Sequence, residues 1–220
     1  MQYKHRINQK KSSLPVGKVV CVGRNYAAHA KELNNPVPDE PVLFLKPATA
    51  LVDLCQPIVI PKQMGSCHYE TELAILIGQR LSRGCTEKQV QLAITGVGLA
   101  LDLTLRDLQQ QLKSSGLPWE KAKAFDGACP LSEFISSDKI ENLQDLNMKL
   151  WQNGELRQDG HTAQMLTPVL SLIIYATQFF TLEPGDIILT GTPSGVGALQ
   201  SGDQLRLALS DYLTATTTVD

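Results

Sequence analysis

The sequence has no clustered run of Lys or Arg, and its formal net charge is only −2 at pH 7. It therefore offers no electrostatic footprint for nucleic acid or an anionic membrane surface, and a small molecule is the expected partner. No apolar stretch approaches the roughly 20 residues a bilayer requires. The polar, basic stretch Met1–Lys11 is not followed by the apolar segment of a secretory signal. The five cysteines (Cys21, Cys55, Cys67, Cys85 and Cys129) include no Cys-x-x-Cys pair. Neither a zinc ribbon nor a disulfide framework is suggested, so buried free thiols and a cytoplasmic location are expected. Phosphate-binding signatures fail too. The glycine-rich segment Thr190–Gly197 lacks the lysine of a P-loop, and Gly96-x-Gly98 has no third glycine.

What is present is 220 residues with 43% hydrophobic content, enough for one sizeable core. Lys18–Val22 and Val42–Lys46 read as strands, separated by a helical or irregular Asn25–Leu33 and a proline-marked loop Asn34–Pro41. Thr86-x-x-Gln89 has the form of a capping box, and Ile94–Leu103 returns to strand character. Thr104 is placed to cap a helix running to about Ser115, which Gly116 and Pro118 then stop. Asn153-Gly154 predicts a tight hairpin between Leu146–Gln152 and Glu155–Gln158. Thr167-Pro168 opens an apolar helix to about Phe180, and Glu183–Asp186 turns into the strand Ile187–Thr190. Gln204–Leu209 and Leu213–Val219 close the chain as strands. Without regular strand–helix alternation the expected class is α+β, dominated by β.

The chemistry concentrates in His68-Tyr-Glu-Thr-Glu72, where period two puts Glu70 and Glu72 on one strand face with Ala74 and Leu76. Neighbouring carboxylates repel unless a cation joins them, and oxygen ligands suit a hard ion such as Mg²⁺ or Mn²⁺. An arbitrary Glu-x-Glu is more often the solvated side of an edge strand. Asp102 adds a third acid at the end of an apolar strand, on the face of Gly96, Gly98 and Ala100, whose small side chains leave space beside it. It could equally cap the next helix or pair with Arg106. His29 and Glu32 are spaced i, i+3 and form a general-base dyad on a helical turn, although such pairs are usually just polar helix surface. Lys121 and Lys123 share a face of an extended Trp119–Phe125, where one of them could neutralise an oxyanion.

Taken together, Gly23–Glu32, Phe44-Leu-Lys-Pro47, His68–Leu73, Leu101–Asp107, Lys121–Asp126 and Leu189–Gly195 resemble the fumarylacetoacetate hydrolase family, in its short single-domain acylpyruvate hydrolase-like branch. The resemblance covers residues 18–220 as one catalytic domain and leaves 1–17 as an extension. It implies a mixed β-sandwich roll, an Mg²⁺ (or Mn²⁺) site and a homodimer. It further implies Glu70, Glu72 and Asp102 as metal ligands, with His29, Glu32 and Lys123 as catalytic groups. Arg24, Lys46, Arg106, Gln109 and Thr192 are implied to contact the keto-acid substrate. A fourth acidic ligand known in the larger two-domain enzyme is missing, since Val22–Ala28 contains no Asp or Glu.

The expected activity is hydrolysis of the carbon–carbon bond of 3-acylpyruvates to pyruvate and a carboxylic acid. His29 would activate water, while the metal and Lys123 would stabilise the pyruvate enolate. The alternative is an oxaloacetate decarboxylase or keto–enol tautomerase using the same enolate-stabilising site. A non-catalytic metal-binding scaffold is the remaining reading.

Overall fold

The computed structural model describes residues 3–220. Its centre is a mixed sheet in the order Val42–Lys46, Val19–Gly23, Ile187–Leu189, Thr71–Ile77, Ile94–Leu101, Cys129–Leu131, Leu51–Asp53, with Ile135–Ser136 pairing alongside Ile94–Leu101. Two neighbouring pairs are parallel, Ile187–Leu189 with Val19–Gly23 and Cys129–Leu131 with Leu51–Asp53. An antiparallel sheet of Glu155–His161, Asn147–Gln152, Gln204–Leu209 and Leu213–Thr218 lies over the middle of the first. The class is α+β with β dominant, as the sequence pattern predicts.

Thr71–Ile77 is the middle of this arrangement and is buried along its whole length. One face, Leu73, Ile75 and Ile77, joins the large core between the sheets. The other, Ala74 and Leu76, joins a second core with Val19, Cys21, Leu131 and Phe134. The edge-strand alternative for Glu70 and Glu72 is thereby excluded, because both sides of the strand are covered and both neighbours are paired.

Local signals match at several points. The Thr86 capping box is complete: Gln89 N–H donates to Thr86 Oγ1 at 3.3 Å and Thr86 N–H donates to Gln89 Oε1 at 2.8 Å. Asn153 and Gly154 both have positive φ, 55° and 84°, as a type I′ hairpin turn requires. Other expectations need correction. Thr104 lies in a short strand, Thr104–Leu105, and its hydroxyl donates to Asp102 O, so the helix Arg106–Ser114 begins later and without a side-chain cap. Trp119–Phe125 is not extended, since Glu120–Lys123 is a helical turn that buries Lys123 and exposes Lys121. The apolar helix ends at Ala176 rather than Phe180. Cys21, Cys67 and Cys129 are buried, Cys85 is half-buried, and Cys55 is exposed against expectation.

Residues 3–17 pack onto the same body. A hairpin of Arg6–Ile7 and Lys10–Lys11 is fixed by backbone hydrogen bonds to Phe134, while Tyr3, Ile7, Leu14 and Val16 pack on the second core.

Candidate active site

The three acids meet because of strand register. Thr71 pairs with Leu101 and Glu72 with Ala100 across antiparallel strands, and Asp102 N–H donates to Glu70 O at 2.8 Å. Glu70 and Asp102 thus face each other just beyond the last ladder pair, with Glu72 beside them. One carboxylate oxygen from each lies within 4.8 Å of the others, and all three residues are buried. Gly96 and Gly98 do not create this space, contrary to the sequence expectation. A Cβ at either would strike Phe134 or Ser132 and Glu133, so those glycines admit a crossing segment instead.

Three cations surround the acids. Lys123 Nζ donates to Glu70 Oε2 at 2.7 Å and Asp102 Oδ2 at 2.6 Å, and sits 5.2 Å from the centre of the Phe44 ring. Arg106 donates one arm to Glu70 Oε1 and the other to Gln109 Oε1 at 2.8 Å. Lys46 is fully buried, donates to the carbonyls of Lys123 and Ala128, and lies 2.7 Å from Asp102 Oδ1. That last contact is an ion pair out of line for a hydrogen bond, so Asp102 Oδ1 is buried without a donor. Lys46, implied by the resemblance to contact substrate, is fully buried and is not among the residues that line the cavity.

The electrostatics separate the acids. Burial alone would raise the Glu70 carboxyl, but Lys123 and Arg106 more than reverse this and hold it well below the ordinary carboxylate range. Glu72 is pushed well up, first by burial and then by Asp102 and Glu70, and its one hydrogen bond among the described residues is from Gly191 N–H at 2.7 Å. Burial opposes the charge on Lys123, yet Asp102 and Glu70 outweigh it and raise the ammonium, which stays protonated. A carboxylate with no cation of its own and an orphaned buried oxygen on Asp102 fit a divalent cation with oxygen ligands. The residues that could hold it are Glu70, Glu72 and Asp102.

Over this floor lies the short helix Ala27–Glu32. His29 Nδ1 and Glu32 Oε2 are 3.2 Å apart, and Glu32 Oε1 accepts the Gly195 N–H at 2.9 Å. The helix is anchored by Asn25, whose side chain donates to Thr190 O and Thr167 O at 2.8 and 3.0 Å and accepts the Thr167 N–H at 2.7 Å. Gly191 is required there, with φ at +92°, because a Cβ would lie 2.7 Å from that of Asn25.

A cavity of about 90 Å³ joins these parts, lined by Arg24, His29, Glu70, Glu72, Asp102, Arg106, Gln109, Lys123 and Thr192. Of the candidate site residues singled out from sequence, Lys46, Glu32 and Lys121 stand outside the lining. Sequence reasoning missed Asn35, Gln110, Lys113 and Trp119, which also line it, and Gln158, which supports it. Gln158 is fully buried, accepts Thr71 N–H at 3.0 Å and donates to Thr192 Oγ1 at 2.8 Å. The i, i+3, i+4, i+7 spacing of Arg106, Gln109, Gln110 and Lys113 was a readable signal, whereas Gln158 sits unmarked in a polar strand.

Relatives at high identity share this chain's extent. An oxaloacetate tautomerase of Escherichia coli strain K12 is 56% identical over 90% of each chain. A mitochondrial oxaloacetate tautomerase of Bos taurus is 43% identical over 89% of this chain and 88% of its own. A mitochondrial oxaloacetate decarboxylase of Dictyostelium discoideum is 45% identical over 88% of each. Among solved structures, a fumarylacetoacetate hydrolase family protein from Yersinia pestis CO92 superposes with a TM-score of 0.96 at 52% identity, covering 99% of this chain and 100% of that one. A fumarylpyruvate hydrolase from Pseudomonas aeruginosa, in complex with Mn²⁺ and pyruvate, superposes at 0.93 but with 34% identity, covering 99% and 95%.

These findings correct the expected activity. The curated relatives at 43 to 56% identity are tautomerases and a decarboxylase, whereas the fumarylpyruvate hydrolase is 34% identical. The reason is chemical: acids, a lysine and a dyad so placed would suit any reaction through an enolate, so the motifs that carried the expectation do not select hydrolysis. The sequence profile described as fumarylacetoacetate (FAA) hydrolase C-terminal matches residues 18–220, and the chain belongs to that family.

Proposed function

We propose that this chain interconverts the keto and enol forms of oxaloacetate at a divalent metal site. The observation that carries the reading is one small cavity holding a carboxylate triad, an unusually cationic wall and a His–Glu dyad. At about 90 Å³ it suits a four-carbon acid better than the drug-sized ligands that occupy pockets of roughly 300 Å³ or more. The 56% identity to an oxaloacetate tautomerase supports the same substrate.

Bound to Glu70, Glu72 and Asp102, Mg²⁺ or Mn²⁺ would act as a Lewis acid that polarises the 2-keto carbonyl. Arg106 and Gln109 bind the adjacent carboxylate. Gln109 Oε1 already accepts from Arg106, which turns its amide N–H groups to the ligand. Thr192 Oγ1 accepts from Gln158, leaving its own hydrogen to donate into the cavity. Glu32 accepts the Nδ1 proton of His29, so Nε2 carries the free lone pair. His29 Nε2 removes a proton from carbon 3, the electron pair forms the C2–C3 double bond, and the carbonyl pair moves onto oxygen. The imidazolium then delivers the same proton to that oxygen, which gives the enol with no net gain or loss. Lys123, kept protonated by Asp102 and Glu70, offsets the charge that develops on the oxygen.

The reading is tested by following enol absorbance after adding enol-rich oxaloacetate to protein with Mg²⁺, with EDTA as control and pyruvate measured in parallel. Metal-dependent acceleration without pyruvate is expected. Stoichiometric pyruvate would assign decarboxylation, the activity named for the Dictyostelium relative, and no acceleration would reject the proposal. His29→Ala should lower the rate about 10²- to 10⁴-fold while leaving bound metal unchanged. A variant that keeps wild-type turnover would remove His29 from the mechanism.

A further inference from the structure

The helix Arg106–Ser114 presents Arg106, Gln109, Gln110 and Lys113 to the cavity along one stripe. Arg106 is committed at its deep end, on Glu70. Lys113 lies two turns further, about 10 Å along the axis, and helical side chains lean back toward the N-terminus and so toward Arg106. Arg24 lines the same cavity from just before the helix Ala27–Glu32. Neither Arg24 nor Lys113 has an ion pair among the described residues, and the Lys113 ammonium has only a neutral partner, Asn35 Oδ1 at 2.9 Å. Arg24 also holds a left-handed backbone, φ 61°, that a side chain other than Gly, Asn or Asp seldom adopts. Arg24 and Lys113 face this small space without an acid of their own, and an anion between them would relieve their repulsion.

We propose that Arg24 and Lys113 form a second carboxylate subsite at the mouth of the cavity, which selects 2-oxo and 2-hydroxy acids carrying two carboxylates. The proposal rests on the oxaloacetate reading for the deep end, where the first carboxylate and its neighbouring oxygen meet Arg106 and Gln109. It goes beyond that reading in naming the groups that distinguish a diacid from a monoacid. The Lys113 ammonium is pushed down by burial and then by Arg24 and Arg106, which agrees with these cations facing one another. Apart from the three candidate metal ligands, the residues lining the cavity include no acid that could compete for them.

Equilibrium binding to the Mg²⁺-loaded protein tests this without turnover. Malate and lactate share the 2-hydroxy acid head and differ in the distal carboxylate. Wild type is expected to bind malate at least tenfold more tightly than lactate. Lys113→Met and Arg24→Met should each weaken malate about tenfold and bring the ratio toward one. Lys113→Arg should keep the preference, and so should Asn35→Ala, which removes the neutral tether but not the charge. Equal binding of malate and lactate by wild type, or an unchanged preference in both methionine variants, would overturn the subsite even with tautomerase activity established. Retained diacid preference in a protein without tautomerase activity would uphold the subsite and reject only the reaction.

Discussion

Lys46 balances the site from below. Its ammonium is fully buried, and it joins Asp102 to the carbonyls of Lys123 and Ala128, so one side chain fixes both a candidate ligand and the turn that carries Lys123. Removing one member of a buried pair costs about 3–5 kcal/mol where the other is left uncompensated, and because Asp102 keeps Lys123 a cost of about 3 kcal/mol is expected here. Lys46→Met should lower stability by that amount in urea unfolding, and a loss below 1 kcal/mol would mean that Asp102 does not depend on it. His5 makes a different prediction. Its buried Nε2–H faces Gly185 O at 3.0 Å and Pro15 O at 3.1 Å, and burial pushes the imidazole down despite those two carbonyls. The unfolded chain therefore takes up a proton near pH 6.5 that the folded chain refuses. The His5 contribution is complete above that pH and declines as pH falls toward the lowered folded value. The melting-temperature gap between wild type and His5→Gln should accordingly shrink from pH 7.5 to 5.5, and a constant gap would contradict the assignment.

At the scale of elements, the helix Ala27–Glu32, a lid over the acids, and the Thr190–Gly197 loop form one device. Glu32 holds His29 with one oxygen and Gly195 N–H with the other, so the dyad is aligned only where the lid meets the loop. Gly195 has φ at +96°, and an added Cβ would run into Arg157 O. Gly195→Ala should displace the amide and lower turnover, with metal content unchanged and Glu32→Gln adding little further loss. Full additivity of the two variants would show that they act separately. Elements with local causes were legible in the sequence, as the Asn153-Gly154 turn and the Thr86 capping box show, because their hydrogen bonds lie within four residues. The helical turn at Glu120–Lys123 was not legible. Its conformation is set by packing Lys123 against Glu70 and Asp102, which are distant in sequence. Likewise Glu-x-Glu indicated a shared face, but the burial that makes it a candidate metal site comes from strand pairings on both sides.

At the scale of the whole molecule, the acids make folding and ion binding one equilibrium. The ends of two central strands bring three carboxylates together, and Lys46, Lys123 and Arg106 match their formal charge. The match is uneven, because Glu72 has no cation of its own and is repelled by Asp102 and Glu70. A divalent ion would answer that local deficit. An ion bound only by the folded state stabilises it by about 2.7 kcal/mol at one hundred times its dissociation constant. Titrating Mg²⁺ into EDTA-treated protein should therefore raise the melting temperature steadily. Glu72→Gln keeps the side-chain shape but removes the repelled charge. It should melt above wild type without metal, and it should lose most of the gain that Mg²⁺ gives. If wild type is indifferent to Mg²⁺ and Mn²⁺, the acids answer only to their lysines and arginine, and the metal site is wrong. If Glu72→Gln melts below metal-free wild type, the ion site stands but the repulsion does not, and Glu72 would then be held by its hydrogen bond from Gly191 rather than strained against its neighbours.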